Sequence, residues 1–153
     1  MRSYLAKLNT MSRTGIKIEL PVFEPILFPD FIEWDNCIIF KQSEPDLPHF
    51  EPNNFCNDRT GYEANTNHIH LSDYVDDFDS FKWEYLRLGI NIINLWRDIL
   101  KSNYPNYKFH LILSYDEEDC ILRCHRIREG ETPWLDTDSI ENFSEGVLVL
   151  QIL

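Results

Sequence analysis

The sequence predicts an α+β domain in which one long central helix packs on a mainly antiparallel sheet. Three observations predict it. Apolar residues recur at helical spacing from about Asp79 to Ser102; two alternating stretches joined by an acidic turn follow, at 107–115 and 119–128; and a further apolar stretch, 147–152, closes the sequence. Short strands before a single helix and antiparallel strands after it give the segregated order of α+β folds, not the alternation of βαβ units. At 153 residues the chain has the size of one domain, 1–153, and 43% hydrophobic residues supply a core.

The elements follow in order. Residues 1–13 are polar and read as a loosely held N-terminus. Residues 15–20 (Gly-Ile-Lys-Ile-Glu-Leu) alternate apolar and polar, the period of a half-buried strand. Pro21, Pro25 and Pro29 are expected to break any regular element after it. Residues 37–41 read as a short strand. From 44 to 67 the prolines, asparagines and Gly61 leave neither period intact, which predicts a long acidic loop. His68-Ile-His-Leu71 reads as another short strand.

In the helix, Phe81, Tyr85, Leu88, Ile92, Leu95 and Ile99 fall at steps of three or four, and Trp83, Leu86, Ile90, Ile93, Trp96 and Leu100 widen that face. Glu84, Arg87, Asn91, Asn94, Asp98 and Lys101 leave only a narrow polar stripe, so the helix is expected to be packed on most sides. Asp76, Asp77 and Asp79 suit its N-terminal dipole and Lys101 its C-terminal one. The hairpin runs through the turn Asp116-Glu117-Glu118-Asp119, which is expected to be solvent-exposed and of little consequence for the fold. Asp138 followed by Glu141 resembles a capping box for one helical turn at 140–143, and Gly146 releases the last strand.

The charge is lopsided: 26 acidic against 14 basic residues, a formal net charge of −12. Residues 44–80 carry nine acids against Arg59 alone, and residues 116–153 carry ten against Arg123, Arg126 and Arg128. Such a field opposes nucleic-acid and anionic-membrane partners and favours basic ones. Folding could bring the two acidic blocks onto one surface. Cys37, Cys56, Cys120 and Cys124 form no Cys-x-x-Cys pair, and no apolar run reaches membrane-spanning length. The expected compartment is therefore the cytoplasm, with free thiols.

Few patterns carry chemistry. His68 and His70 share one strand face, as pairs of metal ligands do, but no third ligand stands at a recognisable spacing, and no metal or cofactor is expected. Cys120 and Cys124 share the apolar face of their strand and read as small core residues; Cys124 and His125 point to opposite faces and cannot pair. His110, Ile112, Ser114, Ile121, Arg123 and His125 lie on the other face, with Arg126 and Arg128 beyond them. This basic spot is expected to pair with acids of other strands or of the C-terminal loop. Phosphate-binding loops, nucleophile elbows and kinase signatures are absent from the sequence, so no enzyme is predicted.

The second half has a recognisable texture. A Trp- and Leu-rich helix ends at Tyr104-Pro105, then come Phe-His-Leu-Ile-Leu-Ser (109–114), Ile-Leu-Arg-Cys-His-Arg-Ile-Arg-Glu-Gly-Glu (121–131), Pro-Trp-Leu (133–135) and Gly-Val-Leu-Val-Leu (146–150). Over residues 83–152 this resembles the small cytoplasmic immunity proteins of bacterial polymorphic-toxin and contact-dependent-inhibition systems. The resemblance implies a non-enzymatic domain that binds one cognate toxin domain, of basic character, and neutralises it. The residues expected at such an interface are Asp73, Asp76, Asp77, Asp116, Glu117, Glu118 and Asp119, with Trp134 as an aromatic anchor. Two other readings stay open: a small metal-dependent enzyme or metal-binding domain built on His68 and His70, and a small-molecule-binding or structural module.

Overall fold

A computed structural model describes every residue except Leu47 and Asn54, both of which fall within the expected 44–67 loop. The elements in order are α1 (Arg2–Thr10), α2 (Leu20–Leu27), β1 (Phe31–Trp34), β2 (Cys37–Phe40), α3 (Arg59–Thr66), β3 (His68–His70), α4 (Phe78–Asn103), β4 (Phe109–Tyr115), β5 (Cys120–Arg126) and β6 (Gly146–Ile152). Short 3₁₀ turns lie at Lys41–Ser43, Leu71–Tyr74 and Thr137–Asn142.

The architecture is the α+β one expected: α4 lies on a four-stranded antiparallel sheet of order β3-β5-β4-β6. Phe109, Leu111, Leu113, Tyr115, Cys120, Leu122 and Cys124 of the sheet meet Leu86, Ile92, Ile93, Trp96 and Leu100 of the helix in one core. Helix and sheet approach most closely at Gly89, where an added Cβ would stand 2.5 Å from the Cys120 sulfur and 3.2 Å from a Leu113 methyl. Trp96 is fully buried; its indole N–H donates to the Ile26 carbonyl at 2.7 Å, and its ring meets Phe31 and Phe40 edge-on. The opposite sheet face carries a smaller core of Ile112, Leu135 and Val147, with Ile140 and Val149 packed on it.

Several expectations are corrected. The first residues form a helix, α1, because Leu8 is buried and Met1, Tyr4 and Leu5 pack on the main core. Residues 15–20 keep an inward face, Ile16 and Ile18, but among the described residues they pair with no strand. The prolines do not exclude a helix: Pro21 sits in the first turn of α2, where no amide is needed, and the buried Phe23 and Ile26 offset the cost of Pro25. A separate hairpin, β1–β2, turns at Asp35 and Asn36, both at positive φ, as a tight hairpin requires.

Within the 44–67 stretch, the Asp58 side chain accepts from the Gly61 amide at 2.7 Å and opens α3. This helix has no apolar stripe. Its buried face is Thr60, Glu63 and Ala64, held by charge. Both Glu63 oxygens are paired by the Arg128 guanidinium, at 2.6 and 3.0 Å, and also accept from the amides of Ile38 (2.5 Å) and Arg126 (2.6 Å). Burial pushes the Glu63 carboxyl up, while the guanidinium and the two amides pull it back; four donors on two oxygens keep it the ionised partner of Arg128. Finally, the turn at 137–142 is capped by Asp136, which accepts from Asp138 N and Ser139 Oγ, and not by Asp138.

Candidate functional site

Short parts of the two acidic blocks, 70–77 and 116–119, meet at one end of the sheet. The β4–β5 turn lies there, and its carboxylates differ in what they hold. Asp116 accepts from the amides of Glu118 and Asp119, both at 3.0 Å, closing an Asx turn in which Glu117 takes a φ of 75°. Glu117 pairs with Lys82 at 2.7 Å and Lys7 at 3.8 Å, and the hydrogen bond from Lys82 holds its carboxyl below the usual range. Asp119 reaches across to the first block. It meets His70 Nδ1 at 2.5 Å and accepts from the Ser72 amide at 3.2 Å, as well as from the Cys120 amide at 2.6 Å. Glu118 is exposed, and its side chain has no partner among the described residues. The expectation that this turn has little consequence for the fold is corrected for Glu117 and Asp119, which anchor it to α4 and β3.

Beyond Ser72, the 3₁₀ turn Leu71–Tyr74 and the approach to α4 present Asp73, Asp76 and Asp77, all exposed. They line a cleft of about 490 Å³ that also includes Glu19, Lys17, Val22, Tyr74 and Tyr85, so four carboxylates face it against one ammonium. Asp77 accepts from the Tyr85 hydroxyl at 2.5 Å, and burial together with that carboxylate pushes the phenol well above its ordinary value. Tyr74 is 41% exposed, and its ring rests edge-on against Phe23. Val22 and Tyr74 also border a second hollow of about 470 Å³, where Pro25, Ile26, Phe40 and Ile69 give apolar walls.

Trp134 is not brought to this end. It lies on the sheet face away from α4, 42% exposed, with the Arg123 guanidinium 4.8 Å from its ring centre. Sequence reasoning missed Tyr74, Val22, Lys17 and Glu19. For Tyr74 the signal was an aromatic residue inside an acidic run, Asp73-Tyr-Val-Asp-Asp77; the other three carry no such mark.

The remaining candidates resolve differently. His68 and His70 lie on one face, ring centres 5.3 Å apart, with His68 Nδ1 at 2.5 Å from the Asn65 carbonyl oxygen. Burial holds His68 below its ordinary value against that carbonyl, and Arg123 adds to the depression. Among the described residues no group of three or more His, Cys, Asp or Glu is arranged to hold a metal ion. Cys120 and Cys124 lie in the core, and burial pushes both thiols up; Cys37 is raised to about 12 by the same cause. A thiol so raised is no nucleophile at neutral pH.

The arginines of the basic spot are engaged within the chain, Arg128 alone by carboxylates. Arg128 pairs with Glu63 and stands 3.9 Å from Glu131 of the C-terminal loop; Arg126 lies 3.5 Å from the centre of the Tyr107 ring and donates to Asn36; Arg123 donates to the Ala64 carbonyl. Its main acidic partner therefore comes from α3 and not from another strand.

Among the described residues no helix is long and apolar enough to cross a membrane. No solved structure matches the chain. A curated relative, "Uncharacterized protein PM0498" of Pasteurella multocida (strain Pm70), is 27% identical over 129 residues, covering 78% of this chain and 77% of its own length. The profile described as "Uncharacterized protein PM0498 family" matches residues 1–153, and the chain belongs to that family.

Proposed function

We propose that this protein works by binding another protein, and that it is an immunity protein whose acidic end covers the basic surface of a cognate toxin domain. One observation carries the reading: Asp119 bonds to His70 and Ser72, so carboxylates more than forty residues apart in sequence share one surface beside a cleft rimmed by Tyr74. An exposed aromatic at the edge of a field of unpaired carboxylates has the anatomy of a protein-binding hot spot with a charged rim. Complementary charge of this kind speeds association with a basic partner and makes the rate fall with salt. Trp134, stacked on Arg123 elsewhere, is a secondary contact in this reading.

The test begins with co-purification against the products of neighbouring genes, followed by stopped-flow association at two salt concentrations. Changing Asp73, Asp76 and Glu118 together to Lys should slow association by about tenfold or more at low salt and flatten its salt dependence, with the fold intact. A captured partner that associates with this variant at the wild-type rate at both salt concentrations would remove the acidic end from the interface.

A further inference from the structure

The two edges of the four-stranded sheet are treated differently. β3, at one edge, is only three residues long. The Asn67 side chain just before it bonds to the Phe40 amide and the Ile38 carbonyl of β2, so the neighbouring hairpin shields that edge. At the other edge β6 runs for seven residues, Gly-Val-Leu-Val-Leu-Gln-Ile, in unbroken register with β4. Among the described residues no strand pairs with its outer side.

Natural sheets guard such edges with charges, prolines, bulges or short strands, because a row of unpaired amides and carbonyls is a template for another strand. β6 has none of these devices. It is a charge-free stretch in a chain with 40 charged residues (26 acidic plus 14 basic), with Leu148, Val149 and Leu150 half-buried and Gln151 exposed.

We infer that β6 pairs with β6 of a second copy of this chain, antiparallel about a two-fold axis at Val149, joining the two sheets into one. The register is self-complementary. Val149 faces Val149 of the partner subunit, Leu148 faces Leu150 of the partner subunit, and Val147 faces Gln151 of the partner subunit. No charge meets a charge, and an isologous contact of this kind closes at two copies.

The placement of charge also admits a second copy, because it keeps the repulsion between like-charged chains small. Tyr115 pairs with Gly146, so the acidic β4–β5 turn lies at the Gly146 end of β6. Antiparallel pairing then sends the two acidic ends to opposite extremes of the joined sheet. Two chains of net charge −12 meet through their neutral strip, and both acidic ends stay open to solvent.

Sedimentation velocity and light scattering from low micromolar to millimolar concentration should show the mass rising from 18.3 kDa towards twice that value. Val149→Lys sets two ammonium groups against each other on the axis and should weaken self-association about tenfold or more, with the circular dichroism unchanged. Val149→Cys and Gln151→Cys test the register even if the lysine variant fails to fold. Directly opposed residues of antiparallel strands lie within disulfide reach, so Val149→Cys should cross-link to itself on mild oxidation while Gln151→Cys, opposite Val147 of the partner subunit, should not. The four native cysteines are buried and give no competing bond. A monomer at every concentration, a dimer undiminished in a folded lysine variant, or equal cross-linking of the two cysteine variants would each overturn the inference.

Discussion

Acidification should destabilise this protein well above the range in which its carboxylates titrate. His125 of β5 is 1% exposed and faces His110 of β4, with ring centres 5.2 Å apart. Burial pushes its imidazole down to about 4; the Arg126 carbonyl opposes this at 3.0 Å from Nδ1, and His110, Arg128 and Arg123 deepen it. In the unfolded chain the ring returns to its ordinary value of about 6.5. As pH falls through that value the unfolded state takes up the proton first, so stability is whole above about pH 6.5 and drains away down to about pH 4. A gap of about 2.5 units corresponds to roughly 3 kcal/mol, a large part of a typical domain's 5–15 kcal/mol. Burial lowers His110 and His68 as well, and both add to the loss, whereas the raised Glu63 carboxyl works against it. Asp35 and Glu117 are held below their ordinary values by their partners, so what they contribute is lost only below about pH 4.5, a separate window. Urea unfolding followed by tryptophan fluorescence at several pH values between 7.5 and 4.5 measures the slope. His125→Phe should make it clearly shallower. An unchanged slope in that variant would refute the assignment to His125.

Further outcomes follow from the packing. Trp96→Ala should cost about 3–5 kcal/mol in the same urea assay, since it empties a fully buried indole site and orphans the Ile26 carbonyl. Arg128→Met should cost about 3–5 kcal/mol by leaving the Glu63 carboxylate buried without its counter-ion, and adding Glu63→Gln should recover part of that loss. Gly89→Ala should destabilise by about 1–3 kcal/mol although alanine is the better helix former, because the new methyl meets the Cys120 sulfur; a gain in melting temperature would refute the close approach. Asp119→Ala should cost about 1–3 kcal/mol and Glu118→Ala almost nothing, as read by melting temperature, since only the former leaves neighbouring donors without an acceptor.

The legible part of the fold is the part where burial follows one period. α4 keeps its apolar arc for about six turns beyond the break at Phe81, and β4 and β5 send every second residue into the main core, so spacing alone placed them to within a residue or two. The other elements fold for reasons spacing does not carry. α3 buries Thr60, Glu63 and Ala64, and the charge it buries is answered by Arg128, 65 positions away. α2 tolerates Pro25 because Phe23 and Ile26 reach the core, which the prolines conceal. The β1–β2 hairpin did leave a mark: Asp35-Asn36 between apolar stretches is a turn of the kind that accepts positive φ. α1 is held at its ends by contacts with distant residues: an added Cβ on Gly146 would stand 2.5 Å from the Tyr4 ring, and Arg87 donates to the Leu8 carbonyl.

The acidic end shows the same division between what a sequence displays and what folding decides. Asp116, Glu117, Glu118 and Asp119 are four adjacent carboxylates with nothing in the sequence to rank them. Folding assigns Asp116 to two amides, Glu117 to Lys82 and Asp119 to His70 and Ser72, and leaves Glu118 to solvent. Of the first block, Asp77 is engaged by the Tyr85 hydroxyl, while Asp73 and Asp76 stand exposed at the cleft. A carboxylate already answered within the chain offers a partner little, because the incoming cation must displace the internal donor before it gains anything. The charge available at this end is therefore smaller than the count of acids suggests, and among the acids expected at the interface it sits on Asp73, Asp76 and Glu118. Reversing all four residues of the turn would confuse loss of binding with loss of the Lys82 and His70 anchors; reversing those three carboxylates separates the two.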